Sequence, residues 1–168
     1  MDWKRVSIIL NDERWVPENS ERSNTKLLRE RLLIKNASDA TYISMFCDAS
    51  TPELGIPKLQ QQIESKLPIS VLLFGMGEDM HTASLFPGGD NLDKALSSEA
   101  PTLLPMRADG ASEARVTLTA PVLKSSRIKH LVIFGKEKRS AFEKAMSLPS
   151  KLAPISAILP GANVHWAA

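Results

Sequence analysis

Short runs of consecutive apolar residues alternate along this chain with stretches in which apolar residues recur every three or four positions. VSIIL (6–10), ISVLLFG (69–75) and IKHLVIFG (128–135) are continuous and rich in β-branched side chains, the pattern of strands buried on both faces. RVTLT (115–119) reads as a further strand, followed by a short helical stretch, and PISAIL (154–159) as a last short strand. Helical spacing sets Leu27, Leu28 and Leu32 along one side of a helix that Ser23 or Asn24 would cap. A second helix is predicted to start near Pro57 and to carry Leu59, Ile63 and Leu67 along one stripe. A third covers KEKRSAFEKAM (136–146), with Phe142, Ala145 and Met146 apolar. There is no internal repeat or low-complexity linker. Strands alternating with helices predict one α/β domain over residues 1–168, with a mostly parallel sheet flanked by helices.

In such sheets ligands sit beyond the carboxyl ends of the strands. Three polar stretches fall there: DERW after VSIIL, GMGEDMH after ISVLLF, and GKEKR after HLVIF. The middle one opens the segment GMGEDMHTASLFPG (75–88). A dinucleotide loop needs a third glycine where this chain has Met80, and Pro87, Gly88 and Gly89 would end the following helix early. With no G-K-[ST] elsewhere, no nucleotide cofactor is expected; Gly75 and Gly77 also serve as plain turn residues. The polar crowding of Glu78, Asp79, His81, Thr82 and Ser84 is harder to explain by turn chemistry alone. An imidazole can exchange a proton near neutral pH, and a neighbouring carboxylate, here Asp79, can fix its tautomer. His81 bonded only to a loop carbonyl is the competing reading; the crowding favours catalysis.

Other chemistries lack support. Ser84 has no G-x-S-x-G elbow and is expected inside a helix. His81, His130 and His165 show no metal-ligand spacing, so no metal is expected; His130 and His165 read as structural. Cys47 reads as a small apolar group. Asp12, Glu13 and Arg14 close the first strand before Trp15-Val16-Pro17 turns the chain away. An arginine there suits bidentate binding of phosphate or carboxylate, and a surface ion pair fits the triplet equally. Lys136, Lys138 and Arg139 open the last helix, where cations gain from a bound anion, although a solvated face also explains them.

Composition narrows the class. With 43% hydrophobic and 24% charged residues the chain is globular, and a net charge of +2, with scattered Lys and Arg, argues against nucleic acid. Cys47 stands alone, so no internal disulfide can form, and a reducing, cytoplasmic setting is expected. No apolar run is long enough for a membrane-spanning helix.

NDERWVP…SERSN, LLFGMGEDMHTASLFPG, RVTLTAPVL and IKHLVIFGKEKR, in that order, resemble the 6-phosphogluconolactonase family over nearly the whole chain. The resemblance implies a Rossmann-like α/β fold shared with glucosamine-6-phosphate deaminase and ribose-5-phosphate isomerase. It implies hydrolysis of a small sugar-phosphate lactone without metal or organic cofactor. His81 then corresponds to the base that activates water, Asp79 to its acidic neighbour, and Gly75 and Gly77 to the loop. Asp12 and Arg14 match the family's acidic strand end and its substrate- or phosphate-binding arginine. Lys138 matches the phosphate-contacting lysine of G-x-x-K, and Arg115 the arginine before the T-L-T strand. A non-catalytic sugar-phosphate-binding fragment and an amino-sugar phosphate deaminase or isomerase are the alternatives. Two departures stand out: Met80 replaces a glycine common in relatives, and the family's opening strand, S-G-G-x-T-P loop and helix have no counterpart. The domain is therefore expected to lack an N-terminal strand–loop–helix unit.

Overall fold

The computed structural model describes residues 1–168. Its strands are β1 (Ser7–Ile9), β2 (Asp12–Arg14), β3 (Thr41–Ile43), β4 (Val71–Phe74), β5 (Leu103–Met106), β6 (Arg115–Leu118), β7 (Ile128–Phe134) and β8 (Ala162–Ala167). Its α-helices are α1 (Asn24–Arg31), α2 (Pro52–Glu64), α3 (Leu92–Leu96), α4 (Ala120–Lys124) and α5 (Lys136–Ala145). The α/β class is as expected, with the strands in three small sheets: β1 with β3 and β4–β7–β8 are parallel, while β2–β6–β5 is antiparallel.

Several elements differ from expectation. Asp12–Arg14 does not merely end the first strand; it is a strand of its own, paired antiparallel with β6. The second helix begins at Pro52, because proline at the first helical position costs no intrahelical hydrogen bond, and Pro57 lies inside it. Ser23 caps α1, accepting from the Lys26 amide, yet Leu27 and Leu32 face solvent instead of forming a buried stripe. Met146 likewise lies exposed past the end of α5. PISAIL is not a strand: Pro154–Ala157 forms a 3-10 turn, since Pro154 brings a fixed φ and no N–H to a ladder. The last strand is β8, against β7.

The β4 and β7 runs are buried on one face only. Leu72, Phe74, Leu131 and Ile133 point into a core shared with Leu59, Ile63, Leu85, Val116 and Leu118, whereas Val71, Leu73, Ile128 and Phe134 are exposed. That core fixes β4 and β7 side by side, so the loops after Phe74 and Phe134 leave the same sheet edge. Asn11 ties β1 to this edge by donating from Nδ2 to the Leu73 carbonyl at 2.9 Å.

Candidate active site

The loop after β4 is built around a histidine–aspartate pair. The Met80 amide donates to the Gly77 carbonyl and the Gly77 amide to the His81 carbonyl, closing a tight turn. This geometry puts Met80 at φ 66° and Ala83 at φ 51°, a region L residues enter only at a cost. The Asp79 carboxylate accepts from the His81 amide at 3.2 Å and lies 2.5 Å from Nδ1 of the ring. Beside an ionised carboxylate Nδ1 must carry the proton, which leaves Nε2, without a protein partner, as the basic nitrogen. Gly77 is required by close approach, since a Cβ there would overlap His81 Nδ1 and Asp79 Oδ1. Thr82 anchors the far side by donating to the Gly75 carbonyl at 2.8 Å. No helix follows: residues 82–85 form a turn with a bridge between Thr82 and Leu85. Ser84 is thus not a helical residue as expected, and it is fully buried.

The second half of the site is the β2–β6 ladder. Antiparallel register sets Asp12 opposite Thr117 and Arg14 opposite Arg115, so both arginines share one face with Asp12. Like charges directly across a ladder repel, and here one carboxylate stands between two guanidiniums. Asp12 lies 3.8 Å from Arg115 and accepts from Ser84 Oγ at 2.6 Å. Burial raises the Asp12 pKa above the usual carboxylate value, with the Ser84 hydrogen bond and both arginines opposing it. Burial lowers the Arg115 pKa, and Arg14 adds to this. Arg14 Nη1 donates to the Arg22 carbonyl and to Asn24 Oδ1, each at 2.8 Å. Nε of both Arg14 and Arg115 is buried without an acceptor. Two guanidiniums on one face share one carboxylate, which leaves a local excess of positive charge.

Phe86 joins the halves. His81 packs on its ring, centroids 4.7 Å apart, and the Arg115 guanidinium lies 5.8 Å from the ring centroid. The structure thus gathers His81, Asp79, Asp12, Arg14 and Arg115, together with the loop glycines. Lys138 stands in the first turn of α5 on the same sheet edge, after Gly135 at φ 84°, and makes no hydrogen bond or ion pair with them. Arg139 is turned away, paired with Glu143 and stacked on Trp166. Sequence reasoning missed Glu13, Asn24, Ser84, Phe86 and Thr117 as parts of the site. Strand alternation applied to DER would have found Glu13, because it separates that residue from its neighbours onto the buried face.

This is an α/β domain with a histidine–aspartate pair and two arginines gathered at strand ends. The chain belongs to the glucosamine-6-phosphate isomerase/6-phosphogluconolactonase family, whose model matches residues 1–166. It is 36% identical over 170 residues to a 6-phosphogluconolactonase of Pseudomonas aeruginosa, covering 99% of this chain and 71% of the relative. A 6-phosphogluconolactonase of Rhizobium meliloti is 34% identical over 174 residues, covering 99% and 75%. Among solved structures, a 6-phosphogluconolactonase from Shewanella baltica OS155 superposes with TM-score 0.95 at 32% identity, covering all of this chain and 74% of that one. A monomeric glucosamine-6-phosphate deaminase shares the fold, with TM-score 0.78 at 17% identity over 98% of this chain and 73% of its own.

Proposed function

We propose that this chain is an ester hydrolase that converts 6-phospho-D-glucono-1,5-lactone to 6-phosphogluconate, the lactone-opening step of the oxidative pentose phosphate pathway. The family and the names of its relatives support the activity. The observation that carries the residue roles is the orientation of His81, with Nδ1 committed to Asp79, Nε2 without a protein partner, and the ring on Phe86, which Arg115 also approaches. In this reading Nε2 takes a proton from water as the water oxygen attacks the lactone carbonyl. The ring C–O bond then breaks, and the ring oxygen takes the proton back from the imidazolium. Asp79 stabilises the charged ring in between. Arg14 and Arg115 supply the positive field for the anionic end of the substrate, and Lys138 reaches in from α5 to the phosphate. A strained cyclic ester needs no covalent intermediate and no metal on this route. The single half-buried thiol Cys47 is in keeping with a reducing cytoplasm, and no helix is long and apolar enough to cross a membrane.

Initial rates above the spontaneous background, with the phosphorylated lactone and with unphosphorylated gluconolactone, test the reading. Lys138→Ala is expected to raise KM for the phosphorylated lactone several-fold with little change in kcat, because a clamp on a remote group gives mostly uniform binding. The unphosphorylated lactone should be indifferent; equal sensitivity of both removes Lys138 from phosphate binding.

A further inference from the structure

Glu13 is the most completely satisfied ionisable group in the molecule, and the mechanism above does not use it. It is fully buried, on the opposite face of β2 from Asp12 and Arg14, against Val116. Its Oε1 accepts from the backbone amides of Arg14 at 2.7 Å and Asn24 at 2.8 Å. Its Oε2 accepts from the Thr25 amide and the Thr25 hydroxyl, each at 2.7 Å, and from Ser23 Oγ at 3.1 Å. Asn24 and Thr25 open α1, so the carboxylate sits on the helix N-terminus, where the helix dipole favours negative charge. Thr25 passes the connection on to the Tyr42 hydroxyl at 2.6 Å, whose pKa burial pushes up to about 12.

The consequence runs through Asn24. Its backbone is held by Glu13, and its side chain reaches β2 at both ends, Oδ1 accepting from Arg14 Nη1 and Nδ2 donating to the Asp12 carbonyl at 3.2 Å. The same N-terminal loop offers the Arg22 carbonyl to Nη1. Arg14 is therefore gripped through Nη1; Nη2 makes no hydrogen bond, and Nε is buried without an acceptor. Nη2 is thus the guanidinium nitrogen left to donate to an oxyanion.

We propose that Glu13 is a positioning residue for substrate binding: by locking α1 to β2 it aims the unbonded Nη2 of Arg14 at the anionic group of the ligand. The inference rests on the sugar-phosphate reading of the site and is tested by a readout separate from turnover, the calorimetric affinity for 6-phosphogluconate. Glu13→Gln keeps the size of the side chain and turns an NH2 toward one set of donors. It is expected to weaken 6-phosphogluconate about tenfold and to raise KM for the lactone similarly, with kcat changed less than threefold. In an Arg14→Ala background Glu13→Gln should have no further effect on affinity. Should Glu13→Gln not fold, Ser23→Ala removes one donor to the carboxylate together with the α1 cap and should weaken affinity two- to threefold, whereas Ser23→Asp, which keeps a cap but cannot donate, should weaken it at least as much. Unchanged affinity in the folded Gln variant, or in Ser23→Ala if Gln does not fold, overturns the proposal. So does a full loss in the Arg14→Ala background, since Glu13 would then act through something else. A parent chain that binds 6-phosphogluconate with these couplings but does not hydrolyse the lactone would leave Glu13 in this role and refute the lactonase reading instead.

Discussion

The two halves of the site are built on opposite physical terms. The histidine half is a surface loop: the His81 and Asp79 side chains are 31% and 54% exposed, and the turn has two non-glycine residues at positive φ. The arginine half is a ladder: the Arg115 and Asp12 side chains are 12% and 18% exposed, and the Glu13 carboxylate behind them is fully bonded. Proton transfer to and from water needs solvent access and a ring whose charge can change, so a loop suits it. Holding an anion needs fixed donors in a low-dielectric setting, where each charge–charge interaction is stronger, so a strand pair suits it. On the proposed function the difference separates chemistry from binding, and substitutions in each half should show it.

The largest effect is expected from His81→Asn. Losing the general base should lower kcat by about 10²- to 10⁴-fold, while the melting temperature and the affinity for 6-phosphogluconate stay close to the parent's. Activity within a few-fold of the parent removes His81 from the mechanism; collapse of folding along with activity would make it structural. Gly77→Ala comes next. The added Cβ has no space beside Nδ1 and the Asp79 carboxylate, so the pair must separate, and displacement of a catalytic group by about 1 Å can cost roughly 10²-fold. Initial rates should fall by about that much with only slightly weaker product binding. A large loss of product affinity would show that the two halves do not act separately.

How much of this was readable beforehand divides along the same line. The histidine loop was legible because its chemistry is local: Gly77, Asp79 and His81 lie within one turn, and the sequence neighbours are the spatial neighbours. The ladder was only half legible. Arg14 and Arg115 were picked out, but nothing local says that they face each other, since that depends on β2 turning back antiparallel onto β6, about a hundred residues away. Locally DER reads as the close of the VSIIL strand; antiparallel pairing with β6 and burial of Glu13 make it a strand of its own, against the low β propensity of three charged residues. PISAIL was misread by composition, as Pro154 starts a 3-10 turn, while β8 was missed because ANVHWA mixes polar and apolar positions on a largely exposed edge strand. The α1 stripe failed for a related reason. Its leucines have the spacing of a buried face, yet the helix is held to the domain largely at its N-terminus, through Glu13.

The smallest expected effect, and the one that bears most directly on the ladder, concerns Asp12. Its folded pKa is raised, with burial as the largest cause, so the folded chain disfavours the ionised form relative to the unfolded chain. The sign follows from linkage: a carboxyl with a raised folded pKa contributes most favourably below its unfolded value of 3.8, and that contribution is lost as pH rises through the folded value. The folded chain thus disfavours ionised Asp12, with Ser84 and the two arginines offsetting burial only in part. Asp12→Asn, which mimics the protonated acid and can still accept from Ser84, should melt at or slightly above the parent temperature at pH 7, by roughly 2–4 °C at most. The advantage should shrink as pH is lowered and the parent takes up its own proton. Thermal melts of both chains across that range would show it. A variant that melts several degrees lower at pH 7, with the deficit closing on acidification, would mean that the arginine pair holds Asp12 ionised to net advantage. The ladder would then be a structural ion-pair cluster in which Asp12 offsets one of the two arginines, with a single positive charge left for a ligand.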